Sequence, residues 1–340
     1  MSGPTKIEWA DSSWNPVTGC SKVSAGWAYC YAERQAKRFA GRAGYPAEDP
    51  FAVTLHPETL DEPLRWRRPR RILVSSMSDL FHERVPDSFI ERVFAICAEA
   101  TWHRFLLLTK RPERMAAFLS SQHIYGAWPL PNVWLGTSIE DQPTADERIP
   151  HLLRCRAARW FVSYEPALGP VDFTRIDYTK HLVEFLTEFV RDQGRDAEKE
   201  IVGYGPGTAW INALSGEWCD GEDYGKEKER LDWVIAGGES GPKARPAHPD
   251  WFRSVRDQCQ AAGVPFFFQQ WGEWAEDGFH FAHRPHLATG EIRASNQPRV
   301  GELGTPGCPK NAWMVRLGKK AAGQLLDGVE HNAYPGEAIP

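Results

Sequence analysis

The feature that most constrains this chain is a repeated alternation. A short, unbroken apolar run ends in small polar or charged residues, and a segment with helical spacing follows. Residues 71–74 (RILV) lead into Ser75, Ser76, Ser78 and Asp79. Residues 105–108 (FLLL) lead into Thr109, Lys110 and Arg111, and residues 133–135 (VWL) into Gly136, Thr137, Ser138 and Glu140. Residues 160–162 lead into Ser163 and Glu165, 233–236 into Gly237, Gly238, Glu239 and Ser240, and 264–268 into Gln269, Gln270 and Trp271. Continuous apolar runs of this length read as strands buried on both faces, as in parallel sheets. Between them, Asp87 and Ser88 can cap a helix with Phe89, Ile90, Val93, Phe94 and Cys97 on one face. Residues 144–153 are interrupted by Pro150, and 249–260 carry Trp251, Phe252, Val255 and Cys259 before Gly263. Strand then helix, repeated, predicts an α/β fold, either a barrel or an open doubly wound sheet.

Two stretches break the pattern. Residues 174–232 mix charged and glycine-rich segments and read as a surface insertion with a helix at 181–192, and 272–312 read as a long, lid-like loop. Residues 318–327 read as a short helix, and the whole span 1–340 as one domain. Apolar residues at 42% and charged residues at 25% exclude a disordered chain. A net charge of −5 argues against nucleic-acid binding by bulk charge and leaves only local basic patches. No apolar run approaches the length of a membrane span, and residues 1–11 lack the features of a signal peptide. Seven cysteines, an odd number spread over a long chain, fit a reducing cytoplasm better than a disulfide framework.

In either architecture, chemistry gathers at the C-terminal ends of the strands. Asp79, with His82 and Glu83, suits substrate contact or proton transfer there; the plainer reading is a helix cap beside a solvated His–Glu pair. Lys110, Arg111 and Arg114 suit a carboxylate or phosphate, against solvated charges at a helix start. Glu140 and Glu165 suit the ribose or amino group of a nucleoside-like cofactor, against ion pairing with those basic residues. Gly237 and Gly238 let backbone amides approach an anion beside Glu239. Arg65, Arg67, Arg68, Arg70 and Arg71 surround Trp66 and Pro69, a nucleic-acid patch or a solvated turn. Trp271 and Trp274 stack on a base or plug the barrel end. Cys20 and Cys30 lie ten apart, with a helix expected from about Tyr29. Thiolates at a loop-to-helix junction suit a soft metal or iron–sulfur iron, against two structural cysteines.

Several stretches carry a resemblance: WNPVTGC (14–20), CYAER (30–34), SMSDLFHE (76–83), LTKRPERM (108–115), LPNVWLG (130–136), EPALGP (165–170), GGESG (237–241), QWGEW (270–274) and GKKAAG (318–323). Along nearly its whole length the chain resembles the phage-associated gene product thirty-seven/sixty-eight family, also described as three-Cys-motif proteins. The resemblance implies a radical-SAM-like partial (β/α) barrel. It also implies a Cys-x6-Cys-x2-Cys motif holding a [4Fe–4S] cluster, with S-adenosylmethionine on the open iron. Reductive cleavage would then yield a 5′-deoxyadenosyl radical acting on a substrate such as a nucleic acid or nucleotide. In that setting Ser76, Ser78, Thr137, Glu140, Gly237, Gly238 and Glu239 would face the cofactor, Cys20 and Cys30 would bind iron, and Asp79, Lys110 and Glu165 would serve catalysis.

The sequence departs from the pattern at Trp27, where the family has its middle cysteine. An indole cannot replace a thiolate. Three readings follow. In the first, an iron–sulfur enzyme recruits a third ligand from Cys155, Cys219 or Cys308, although Cys155 precedes a strand, at the wrong end of the barrel. In the second, the chain is a cluster-less binding or accessory protein for nucleic acid or an anionic ligand. In the third, a two-thiolate zinc site is completed by His, but no nearby His has ligand spacing.

Overall fold

The strand–helix units assemble into one eight-stranded sheet. The computed structural model describes residues 3–121, 128–192, 196, 203–220, 223–225, 229–276 and 314–336. The strands are β1 (Gly3–Pro4), β2 (Ser12–Trp14), β3 (Arg71–Val74), β4 (Arg104–Thr109), β5 (Val133–Ile139), β6 (Trp160–Tyr164), β7 (Trp233–Gly237) and β8 (Phe266–Gln270). They lie side by side in chain order. Only the β1–β2 pair is antiparallel. An order that never reverses is that of a singly wound sheet, which removes the doubly wound alternative.

The helices are α1 (Tyr31–Arg38), α2 (Asp87–Glu99), α3 (Pro112–Ser121), α4 (Gln142–Arg154), α5 (Thr179–Asp192) and α6 (Pro249–Ala262). Alternation along the strands divides the apolar residues between two cores. Val74, Leu107, Leu135, Val162, Ala236 and Phe268 belong to the core that includes Val93 of α2, Ile149 of α4 and Phe252 of α6. Leu73, Leu106, Trp134, Phe161, Trp233, Ile235 and Phe267 face the other way and enclose Trp9. Trp9 lies 6.2 Å from the rings of both Phe161 and Trp233, and its Nε1 donates to Gln269 Oε1 at 2.6 Å. In a flat sheet, β2 and β8 would stand about 29 Å apart. One indole beside β2 that reaches β6, β7 and β8 therefore requires a sheet curled into a half-barrel, and the expected α/β partial barrel is borne out. Gly136 makes room inside it, because a Cβ there would come within 2.6 Å of the Phe161 ring.

Some expectations are corrected. β1 and β2 complete the sheet, although SSW is not an apolar run. Helix α4 runs through Pro150, and Asp141 and Thr144 form a capping box at its start. The tail is helical only over Lys319–Ala322; Gly323, at φ +75°, ends it, and a hairpin of Leu325–Leu326 and Val329–Glu330 follows. Beyond the hairpin the chain runs along β8, where Phe268 N donates to His331 O at 2.8 Å, which covers that edge. Within 174–232, α5 stands where a helix was expected, beside a four-stranded antiparallel sheet. Within 272–312, Trp274–Glu276 pairs with Met314–Arg316, and the rest of that segment lies outside the described residues. Among the described residues no helix is long and apolar enough to cross a membrane.

Candidate functional site

The strands end nearly in register: Thr109 stands opposite Thr137, Ile139 opposite Tyr164, and Gly237 opposite Gln270. The residues just beyond them form one rim. Strand alternation carries the concave face from Leu106 to Lys110, from Trp134 to Glu140 and from Phe161 to Glu165. A lysine and two glutamates thus sit at the mouth of the half-barrel, with Glu239 beside them after β7.

The loop bearing the cysteines is built across this mouth. Gly19 N donates to Met77 O at 3.1 Å, and Gly19 has φ +79° with the Ala52 carbonyl where a Cβ would project. Ser24 Oγ donates to Glu140 Oε1 at 2.9 Å. A Cβ on Gly26 would stand 2.5 Å from that same oxygen, so only glycine lets the loop seat so closely. Glu140 is fully buried and paired with Arg148 of α4 at 3.2 Å. Glu239 holds Arg245 through Nε and Nη2, each at 2.8 Å, and Arg245 Nη2 donates onward to Ala25 O at 3.0 Å. Two of the three mouth glutamates are therefore struts, neutralised by arginine and tied to the cysteine loop. Arg148, Arg245, Ser24 and Gly26 were not foreseen from sequence. Only Arg148 left a signal, as a charge on the buried face of α4 beside Ala145, Ile149 and Leu152.

Lys110 and Glu165 are different. Lys110 Nζ lies 4.1 Å from the centroid of the Trp27 ring and has no carboxylate within 4 Å among the described residues. Burial lowers its pKa, against the attraction of Glu140. Glu165 receives one hydrogen bond, from Ser163 Oγ at 3.1 Å, and has no ion-pair partner among the described residues. Burial raises its pKa to about 7, which the Ser163 hydroxyl and the more distant Lys319 only partly oppose. Gly237 packs against its carboxylate, leaving no room for a Cβ. Trp27 Nε1 and Arg34 Nε are buried with no acceptor among the described residues.

The other candidates are committed elsewhere. Asp79 accepts from Thr109 Oγ1 at 2.7 Å, from the backbone N–H groups of Phe81 and Lys110 at 3.0 Å each, and from Arg111 Nη1 at 3.3 Å. It anchors strand ends. Arg111 also reaches Ser21 Oγ at 2.9 Å and Glu83 at 3.3 Å. His82 is not solvated: it is 1% exposed, and its Nδ1 accepts from Arg84 N at 3.1 Å. The proton therefore belongs on Nε2, which faces Ser21 Oγ at 2.9 Å. Burial, with Arg111 nearby, lowers the His82 pKa. Arg114 donates to Val85 O at 2.6 Å and Asp87 at 2.9 Å, bracing the turn into α2. Ser76 bonds to Asn15, Ser78 to Val17 O and Thr137 to Thr109 O. The Trp271 carbonyl fills the space beside Gly238. Trp271 and Trp274 are buried in the core shared with the helices, with their N–H groups on Leu325 O and Ala244 O. Arg65 pairs with Asp61 at 2.5 Å, and Arg67 and Arg68 are exposed. All three precede β3, at the opposite end of the half-barrel from the mouth.

The donor set decides whether an iron–sulfur cluster fits. Cys20 and Cys30 flank the mouth, but Trp27 stands at the middle position of the motif that the resemblance implies and packs against the cluster of Cys30, Met77 and Tyr45. Cys97, Cys155 and Cys259 are buried in the core between helices and sheet, and Cys219 lies in a strand of the small sheet. Cys308 lies outside the described residues. Among the described residues no three His, Cys, Asp or Glu side chains are grouped to hold a metal. Arg111 Nη1 is 3.5 Å from Cys20 Sγ, yet burial and Asp79 push that thiol up to about 11. Burial also raises Cys30. Two thiols with an indole between them in sequence fall one thiolate short of a three-thiolate cluster.

A family model described as "Protein of unknown function (DUF5131)" matches residues 4–335. No curated protein sequence matches the chain. Among solved structures, "Spore photoproduct lyase complexed with dinucleoside spore photoproduct" is 9% identical, with 93% of this chain and 71% of that chain covered and a TM-score of 0.39. A mutant form of spore photoproduct lyase is 10% identical, with 93% and 71% covered and a TM-score of 0.40.

Proposed function

The chain belongs to the DUF5131 family, and we propose that this member is a cluster-less half-barrel protein whose mouth binds a small anionic ligand. Lys110 supplies the charge, and Glu165 is the group that gives or takes a proton. The observation that carries the reading is that, among the described residues, the Lys110 ammonium has only the face of Trp27 for a partner. A half-buried ammonium without a counter-ion is costly, and an entering carboxylate or phosphate relieves that cost. The Trp27 N–H and Arg34 Nε, buried without acceptors among the described residues, are further donors for the oxygens of such a ligand. Glu165, with a pKa of about 7, both donates and accepts near neutral pH. Perturbed, unpaired groups of opposite sign at one mouth are a pattern of binding and catalytic sites. The radical-SAM reading implied by resemblance is not routed through this donor set. The free thiols of the described cysteines support a reducing, cytoplasmic setting.

Calorimetric titration with citrate, pyrophosphate and adenosine monophosphate tests the reading. Wild type is expected to bind at least one of them, and Lys110→Met to lose about tenfold or more in affinity, the scale of one charge-assisted hydrogen bond. Equal binding by Lys110→Met would contradict it.

A further inference from the structure

The half-barrel carries a second concentration of positive charge, at the end away from the mouth. The N-terminal ends of β3 and β4 are adjacent, with Arg71 opposite Arg104 and Arg104 N donating to Arg70 O at 2.8 Å. Arg67 and Arg68 are exposed on the approach to β3 and have no partner among the described residues. Arg104 is exposed, and among the described residues its guanidinium has only the Trp134 ring beneath it, at 4.5 Å. Burial together with the like charges of Arg159 and Arg71 lowers its pKa, so cations crowd one another here. Three of the nearby acids are already engaged: Asp11 with Arg71, Asp61 with Arg65, and Asp232 with Arg159.

Aromatic groups are interleaved with these charges. Trp102 is 41% exposed, and its N–H is held by Trp66 O at 2.8 Å, which fixes the indole at the surface. Arg70 lies over Trp66 at 4.7 Å and donates to Ser12 Oγ at 3.0 Å. Uncompensated guanidinium groups beside a fixed, exposed indole are what a strand with unpaired bases requires: charge for its phosphates and a flat face for a base. A duplex offers phosphates but no free base face.

We propose that this end of the half-barrel is a docking surface for single-stranded nucleic acid, separate from the anion site at the mouth. Arg67, Arg68 and Arg104 contact the backbone, and Trp102 stacks on a base.

Fluorescence anisotropy of the full chain with a labelled mixed-sequence single strand, and with its duplex, tests this across a salt series. The single strand is expected to bind more tightly. Arg67→Gln/Arg68→Gln is expected to flatten the slope of log affinity against log salt by about 1.4, two phosphate contacts at about 0.7 each. Trp102→Ala is expected to weaken single-strand binding about fivefold or more and to leave the salt slope unchanged. Lys110→Met at the mouth is expected to change neither. Binding that survives all of these substitutions, tighter binding of the duplex, or no binding at low salt would overturn the proposal. So would equal competition by inorganic polyphosphate, which has charge and no bases.

Discussion

The ammonium of Lys110 rests 4.1 Å from the centroid of the Trp27 ring, on the residue that occupies the middle position of the three-cysteine pattern. A cation–π contact thus stands where the pattern would place a thiolate. The indole also joins the apolar group around Cys30. One side chain therefore shields the lysine and packs the cysteine loop.

Replacing that lysine should separate binding from stability. The burial that lowers the Lys110 pKa disfavours its charge in the folded state. Lys110→Met is expected to raise unfolding free energy by about 1 kcal/mol, by removing a buried charge without a carboxylate partner. Urea unfolding at pH 7 measures it, and a loss of stability would mean that the ammonium has a partner after all.

Glu165 should leave a mark on the pH dependence of stability. Its pKa rises from 4.5 to about 7 on folding, so between those values the native state holds more protons than the unfolded one. Its contribution is full below about pH 4.5 and is lost as pH rises through 7, by about 3 kcal/mol at about 1.4 kcal/mol per unit. Glu165→Gln is expected to flatten that decline and to be the more stable protein at pH 8. Parallel stability curves for the two proteins would show that Glu165 titrates normally.

The half-barrel was legible where the sequence alternates in blocks. Runs such as 105–108 are expected to be buried on both faces; Phe105, Leu106 and Leu107 are, with Leu108 half-buried, as are the helix faces around Val93 and Phe252. The missing pieces lack that signal. Ser12–Trp14 joins the sheet by parallel pairing with β3, which no apolar run announces. The gathering of Lys110, Glu140, Glu165 and Glu239 at one rim followed from strand ends, but which of them are paired did not. Arg148 and Arg245 follow their glutamates by only eight and six residues; what spacing does not give is that Glu165 has no arginine partner among the described residues. Of the two readings open for Asp79, His82 and Glu83, the solvated pair fails for His82, which is buried and whose Nε2 meets Ser21 of the cysteine loop.

That loop depends on Gly26. Gly26→Ala would place a Cβ 2.5 Å from Glu140 Oε1 and push apart the contact made by Ser24. The expected cost is about 1–3 kcal/mol of stability. An unchanged unfolding midpoint would mean that the loop is not held against Glu140.

The thiols should be slow to react. With Cys20 pushed up to about 11, only about one molecule in a thousand carries its thiolate at pH 8. Brief alkylation at pH 8, read by peptide mass spectrometry, is expected to leave Cys20 and Cys30 unmodified. Rapid labelling of Cys20 would show an activated thiol and reopen the metal reading.

The most direct test is the iron content of anaerobically purified protein after reconstitution with iron and sulfide, for wild type and for Trp27→Cys. With two thiols and an indole under a lysine in place of three thiols, wild type is expected to hold less than about one iron per chain and to show no cluster absorbance. A wild-type protein holding about four irons per chain would contradict the account and return the mouth to iron–sulfur chemistry.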